Sequence, residues 1–350
     1  MTIVDARVLT VTGGVDTHLD FHVAAALDQI GGELGIESFE TTTAGYQKLL
    51  DWLSAFGPVT RIGVEGTGSY GTGLARFLYS QGVEVVEVDR PNRQLRHRRG
   101  KSDPTDAVAA ARAALSGQAT GTPKLRNGPM EQMRVLLVAR RSGREQRVQT
   151  LNQIRQLVFC APEPIRERFL GRTQTSMLTE MAALRPSTKS DPVTHTTLTT
   201  LRDLARRIRA LDNEKTRIRK QLHQLVTVTA PDLLAIKGLA AEGAAVLLAA
   251  AGDNPQRVRT EAAWAHMCGV APIPASSGKT VRHRLNRGGN RQANSVLYRI
   301  VITRMSADPR TQAYVQRRRD EGRTTKEIIR TLKRYLAREI YKHLPRPDLN

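Results

Sequence analysis

Four carboxylates and a pair of serines carry the chemistry available to this chain of 350 residues. Asp16 closes the segment Val11-Thr12-Gly13-Gly14-Val15-Asp16 and Glu65 closes Val59-Thr60-Arg61-Ile62-Gly63-Val64-Glu65, while Asp103 and Asp106 stand three apart in Ser102-Asp103-Pro104-Thr105-Asp106-Ala107. Two carboxylates at strand ends and two on the first turn of a helix make four hard oxygen ligands, the set that suits Mg2+ or Mn2+. Such a centre fits phosphoryl transfer, in which two ions roughly 4 Å apart hold the attacking and leaving oxygens. Asp103 and Asp106 also have a plainer reading. With Asp103 as N-cap and Pro104 as first helical residue, both carboxylates are capping groups. With Ser102 as the cap they lie side by side on one face, and two adjacent anions call for a cation. His18 shares the strand parity of Asp16, but imidazole suits Mg2+ poorly, so His18 and Asp20 read as hairpin residues. The serines precede Gly278 and are followed by Lys279, Arg282, His283, Arg284, Arg287 and Arg291. Ser-Ser-Gly is ordinary loop composition, yet a hydroxyl among cations that offset phosphate charge can act as a nucleophile on a phosphodiester.

The elements that must position these groups alternate. Residues 11–16 and 21–27 read as a hairpin, residues 35–41 as a third strand, and Thr43 can cap a helix through Tyr46, Leu49, Leu50 and Leu53. Gly57-Pro58 ends that helix. A buried-type strand at 59–65, a turn at 66–71, a helix through Leu74 to Tyr79 and a strand at 83–89 follow. Three leading strands, then helix, strand, helix and strand, is the order of the ribonuclease-H-like (RuvC-like) fold, an α/β mixed sheet flanked by helices. An Ala-rich helix runs from the Asp103 region to about Leu115.

Beyond it, residues 116–129 have linker composition, which divides the chain into an α/β domain at 1–125, a helical region at 126–228 and a mainly α domain at 229–350. A helix begins near Glu131 and stops before Pro162; the stretch to Thr194 is uninformative. From 197 to 226, Leu201, Ile208 and Leu222 share one heptad position and Leu204, Leu211, Ile218 and Leu225 the other, with Lys215 interrupting the first series. This predicts a coiled coil, folded back on the Glu131 helix or paired between subunits. Residues 233–240 resemble the turn of a helix-hairpin-helix, which meets backbone phosphate. Residues 314–342 read as one basic helical stretch.

Charge narrows the partners. With 54 Lys and Arg against 33 Asp and Glu, the formal charge of +21 favours polyanions, nucleic acid first. Arg96, Arg98 and Arg99 fall in a run that is either a solvated loop or a phosphate contact. The longest apolar run, at 244–251, is too short to cross a bilayer, and the first residues lack the order of a signal peptide. Cys160 and Cys268 make no disulfide framework, so the expected setting is a reducing cytoplasm, without membrane.

Taken together, Gly14-Val15-Asp16-Thr17-His18, Val64-Glu65-Gly66-Thr67-Gly68-Ser69-Tyr70, Lys101-Ser102-Asp103-Pro104-Thr105-Asp106-Ala107, Gly269-Val270-Ala271-Pro272 through Ser277-Gly278, and Gly288-Gly289-Asn290 resemble the transposases of the insertion-sequence-110 family (the 110/116/902 group). The resemblance covers essentially the whole chain. It implies a Holliday-junction-resolvase-like N-terminal domain whose Asp-Glu-Asp-Asp set falls on Asp16, Glu65, Asp103 and Asp106, a coiled-coil insertion used in assembly, and a C-terminal transposase domain. The family's nucleophilic serine falls on Ser277, by alignment to Gly278 alone. It further implies strand cutting and rejoining through a covalent phosphoserine with Mg2+ or Mn2+, partners in donor DNA, target DNA and an element-encoded guide RNA, and a homo-oligomer, a dimer that becomes a tetramer on DNA. The family's Pro-Gly-Ile-Gly turn is replaced by Lys237-Gly238-Leu239-Ala240. Two other readings remain on residues alone: an actin-like kinase using Gly14 to Thr17 and Gly66 to Gly68 as phosphate loops, and a non-catalytic nucleic-acid-binding protein.

Overall fold

In the computed structural model, which describes residues 10–88, 102–276 and 283–345, the alternating segments form a mixed sheet. β1 (Val11–Thr17) and β2 (Phe21–Leu27) make the expected antiparallel hairpin, with Asp16 opposite Val23, and β3 (Glu33–Glu40) extends it. Helix α1 (Thr43–Ala55) is capped by Thr42, one residue before Thr43; its side chain accepts from Gly45 N at 3.0 Å. β4 (Val59–Glu65) pairs parallel with β1, α2 (Thr72–Ser80) crosses over, and β5 (Val85–Val88) pairs parallel with β4. Strand order is β3-β2-β1-β4-β5. The order of strands and helices is the one the hydrophobic pattern predicts.

Side chains alternate across a strand, so each face has its own cover. On one face Val11, Val15, Ala24, Ala26, Ile62 and Val64 meet the apolar sides of α1 and α2 through Tyr46, Leu49, Leu53, Leu74 and Leu78. On the other lies α3 (Asp103–Leu115), with Ala107 and Val108 on Val23 and Ala25, and Ala110 and Ala114 on Val86 and Val88.

The described residues fall into two compact units, one drawn from 1–128 and 251–259, the other from 129–250 and 260–350. In the first, residues 251–259 tie down the stretch that composition reads as linker. Buried Asn254 donates through Nδ2 to Pro123 O at 2.8 Å, and Arg257 Nε donates to Thr122 O at 3.1 Å.

In the second unit, α4 (Pro129–Phe159), α5 (Glu163–Phe169), α6 (Gln174–Ala182) and α7 (Pro192–Thr229) share a core of Leu151, Ile154, Phe169, Met181, Leu201 and Ile208 among others. α7 folds back antiparallel on α4: Arg147 Nε is 2.8 Å from Asp212 Oδ1, while residues later in α4 meet earlier ones of α7. Leu201, Ile208 and Leu222 are buried, as their heptad position predicts. In the other series only Ile218 is; Ala205 and Val226 are buried where the series places their neighbours Leu204 and Leu225. Around exposed Lys215 the apolar seam stops, and the Arg147–Asp212 pair bridges the helices there.

The remainder comprises α8 (Ala241–Ala251), α9 (Glu261–Met267), a hairpin of β6 (Ile273–Pro274) and β7 (His283–Arg284), α10 (Arg291–Ala307), α11 (Pro309–Asp320) and α12 (Thr325–Tyr341). The single basic helix expected over 314–342 is therefore two. Gly322, at φ 78°, ends α11, and Thr324 with Glu327 forms a capping box that starts α12. Among the described residues no helix is long and apolar enough to cross a membrane.

Candidate metal centre and phosphate-facing residues

Two glycines bring the carboxylates together. Gly14 pairs with Gly63 and Val15 with Val64 across β1 and β4, so Asp16, next to last in β1, and Glu65, last in β4, lie one step further on in neighbouring strands. By alternation Asp16 shares the face of Gly14, and Glu65 that of Gly63. That face is the one α3 covers. A β-carbon on Gly14 would overlap the backbone of Ala107 and Ala111, and one on Gly63 would come within 2.6 Å of Ala110 O. Small residues on both sides let the helix lie against the strands, and its first turn then reaches the strand ends.

Ser102 is the N-cap of α3, with Pro104 in the first turn, so Asp103 is not the capping residue. Ser102 O accepts from Asp106 N at 3.1 Å, and its hydroxyl lies 2.7 Å from that of Thr105. Asp106 is 3% exposed and Asp16 8%. His18 Nε2 lies 3.2 Å from Asp16 Oδ2 and 3.4 Å from Asp103 Oδ2, so His18 is a member of the cluster and not merely a hairpin residue. One ligand atom each from Asp16, His18 and Asp103 falls within 4.8 Å of the others. Burial lifts the Asp16 carboxyl above the ordinary carboxylate range; His18 pulls it down, and the charges of Asp106 and Asp103 push it further up. A cation among these oxygens relieves that repulsion, and the helix N-terminus already favours the negative charge it needs. The carboxylates of this set fit a hard divalent ion: Asp16 and Asp103 converge with His18, Asp106 is near enough for its charge to act on Asp16, and Glu65 lies on the adjoining strand end.

The turn after Glu65 is fixed from both sides. Thr17 Oγ1 donates to Glu65 O at 2.8 Å, and Gly66, at φ 73°, packs against that same hydroxyl, leaving no room for a side chain. Buried Thr67 donates to Glu87 Oε1 at 2.6 Å. Gly14 lies within β1 under α3, and Thr67 is turned inward.

In the second unit a further set of contacts organises the C-terminal motif. Gly289 lies so close to Gly269 that a β-carbon would overlap its nitrogen. Asn290 caps α10, accepting from Gln292 N and Ala293 N at 3.0 Å each, and donates its own N–H to Met267 O at 2.6 Å. Asn294 Nδ2 donates to Cys268 O at 2.9 Å and Gly269 O at 3.2 Å, while its Oδ1 accepts from Lys333 Nζ at 2.9 Å. Sequence reading misses Asn294 and Lys333, which lie in different helices and carry no local signature. Arg284, Arg287 and Arg291 are exposed, as is Ser276 at the end of the first hairpin leg. Ser277, Lys279 and Arg282, together with Arg96, Arg98 and Arg99, lie outside the described residues. Lys237, in the turn likened to a helix-hairpin-helix, is engaged elsewhere: its ammonium donates to Asp308 Oδ1 at 3.0 Å and Ala307 O at 3.1 Å.

Comparison with known proteins agrees with this division. Residues 13–159 match the family model of the DEDD transposases of IS110, and residues 230–316 match that of the IS116/IS110/IS902 transposase family. The chain is also 25% identical to the candidate mini-circle transposase for IS117 of Streptomyces coelicolor, over 90% of this chain and 89% of that protein. The first match contains all four carboxylates and the second contains the Gly269 to Asn290 motif; between them they span more than half of the chain. On these grounds the chain belongs to the IS110/IS116/IS902 family of transposases.

Proposed function

We propose that this transposase is a DNA recombinase that joins two half-sites: a RuvC-like carboxylate centre of Asp16, Glu65, Asp103 and Asp106, and a nucleophilic serine, Ser277. The observation that carries the reading is the convergence of Asp16, Asp103 and His18 within 4.8 Å, beside the buried Asp106. Mg2+ or Mn2+ bound there would polarise a phosphodiester oxygen and offset developing charge. The hydroxyl of Ser277 attacks phosphorus, forming a bond from Oγ and releasing a deoxyribose hydroxyl; the reverse step, with a new hydroxyl as attacker, rejoins the strands. Lys279, Arg282, Arg284, Arg287 and Arg291 supply the cations that hold the phosphate, with Arg96, Arg98 and Arg99 as further backbone contacts.

The same reading assigns sequence choice to base pairing by an element-encoded guide RNA with donor and target DNA, and places the reaction on DNA in the cytoplasm. The α4–α7 pair, in the region 126–228, serves as a coiled-coil assembly element of a homo-oligomer, a dimer that becomes a tetramer on DNA, between a 1–125 DEDD domain and a 229–350 transposase domain. Incubating the protein with its element ends, RNA and Mg2+ should give a protein–DNA adduct that survives denaturation. An adduct formed equally by Ser277→Ala would remove Ser277 as nucleophile. Recombination by Asp16→Ala at the wild-type rate would remove the carboxylate centre.

A further inference from the structure

Within the second unit a cavity of about 700 Å3 opens at the base of the β6–β7 hairpin, against α12. Its wall includes residues 269–272 and six cationic side chains, with Glu327 as the one carboxylate among the described residues. Arg318 pairs with Glu321 and Arg334 with Glu261. Arg284, Arg323, Arg330 and Lys333 have no carboxylate within 4 Å among the described residues. Glu327 itself is spent on the N–H and hydroxyl of Thr324, at 2.9 and 2.8 Å.

Lys333 is the unusual member. It is 7% exposed, yet its ammonium has one hydrogen-bond partner among the described residues, the neutral amide oxygen of Asn294 at 2.9 Å. An ammonium has three donors, and burying one without an anion is unfavourable. Burial, with the charge of Arg330 adding to it, holds its pKa below the usual lysine range. Three exposed arginines around a buried, under-satisfied lysine form a receptor for a compact dianion or monoanion, and phosphate is the anion that a nucleic-acid enzyme meets most often.

We propose that this cavity is a binding site for a backbone phosphate of nucleic acid, with Lys333 as its buried cation and Arg284, Arg323 and Arg330 at its rim. It rests on the reading above that this chain handles DNA, and adds a contact beyond Ser277 and the carboxylates that shares only Arg284 with the cations assigned to the scissile phosphate. Through Asn294, Lys333 also connects the bound phosphate to the Cys268–Gly269 turn, from which the β6 leg leads toward the serine segment.

The test is equilibrium binding by the full chain, in EDTA so that no strand is cut, to a short DNA duplex and to an RNA hairpin over a range of salt. Each lost phosphate contact should flatten the slope of log K against log salt by about 0.9 on duplex DNA. Lys333→Met and Arg330→Gln are each expected to do so and to weaken binding about tenfold at moderate salt, with the melting temperature of Lys333→Met held or raised. Loss on one nucleic acid alone identifies whether the phosphate is DNA or RNA. If Lys333 merely braces Asn294, Lys333→Met lowers the melting temperature and Arg330→Gln leaves slope and affinity unchanged, which overturns the proposal. Should Lys333→Met not fold, Arg330→Gln and Arg323→Gln decide by the same slopes. The outcome is independent of the adduct assay: a flattened slope without any adduct keeps this site and rejects the serine mechanism, and the converse rejects only this site.

Discussion

His18 Nε2 lies 3.2 Å from Asp16 Oδ2, although the two residues are separated only by Thr17, whose side chain belongs to the other face of β1. The imidazole therefore shares the pocket of the carboxylates and can act as a borderline donor or as an outer partner that orients them. Adding Mn2+ or Mg2+ to the chelated protein should raise its melting temperature, by the equivalent of about 2.7 kcal/mol at a hundredfold excess over Kd. Asp16→Asn should abolish that rise, and His18→Ala should weaken metal affinity about 10- to 100-fold by calorimetric titration. An unchanged affinity in His18→Ala would reduce His18 to a bystander.

Gly14→Ala tests the close approach of α3 to the sheet. The added methyl meets the backbone of Ala107 and Ala111, which cannot rotate away. A loss of about 1–3 kcal/mol is expected in urea unfolding, together with weaker metal binding as the first turn of α3 is pushed off the strand ends. Stability lost with metal affinity intact would show that the carboxylates are positioned by something other than the helix.

Acid sensitivity should concentrate on His22. Its ring is fully buried and stacked 5.6 Å from that of Tyr46 at 4°, with no side-chain hydrogen-bond partner for either nitrogen among the described residues. Burial lowers its pKa to about 4, against an ordinary 6.5; the Phe21 backbone opposes the shift and the charge of His18 adds a smaller push down. The unfolded chain thus binds the proton first, so stability is full above about pH 6.5 and falls as pH drops toward about 4. The contribution is about 3 kcal/mol. His22→Phe keeps the stack and should flatten the unfolding free energy between those pH values; a wild-type slope in that variant would place the acid-labile group elsewhere.

Along α7 the heptad series should not respond uniformly. Ile208→Ala, in the buried core, is expected to cost about 2–5 kcal/mol. Lys215→Ala, exposed where the seam stops, should stay within about 0.5 kcal/mol. Arg147 and Asp212, both partly exposed, should show a coupling of about 0.2–1 kcal/mol in a double-mutant cycle. Equal costs at 208 and 215 would mean that both face a partner.

What could be read ahead of the structure follows from the range of the forces involved. The order of strands and helices in the first unit shows in the chain because period-two patterning and Gly/Pro punctuation are local. Asp103 against Ser102 as cap could not be decided, since both residue types cap well; the difference lies in how closely Gly14 and Gly63 admit the helix. Strand parity puts His18 on the side of Asp16 while ligand preference argues against it, and the folded chain places it within 3.4 Å of both Asp16 and Asp103. The break at Gly322 carried a visible Thr-x-x-Glu signature that a long basic run obscures. The Asn294–Lys333 bond joins residues 39 apart, and no local pattern announces such a pairing.

The return of residues 251–259 to the first unit bears on how this protein can be divided. Asn254 holds Pro123 and Leu125, and Arg257 holds Thr122, so the strap below β5 is supplied by chain that is made only after the long α4–α7 arm. A fragment ending at residue 128 would carry all four carboxylates and still lack part of its own framework. During synthesis these bonds can close only after the helical arm has been made, and a premature stop within that arm leaves the acidic residues on a scaffold without its strap.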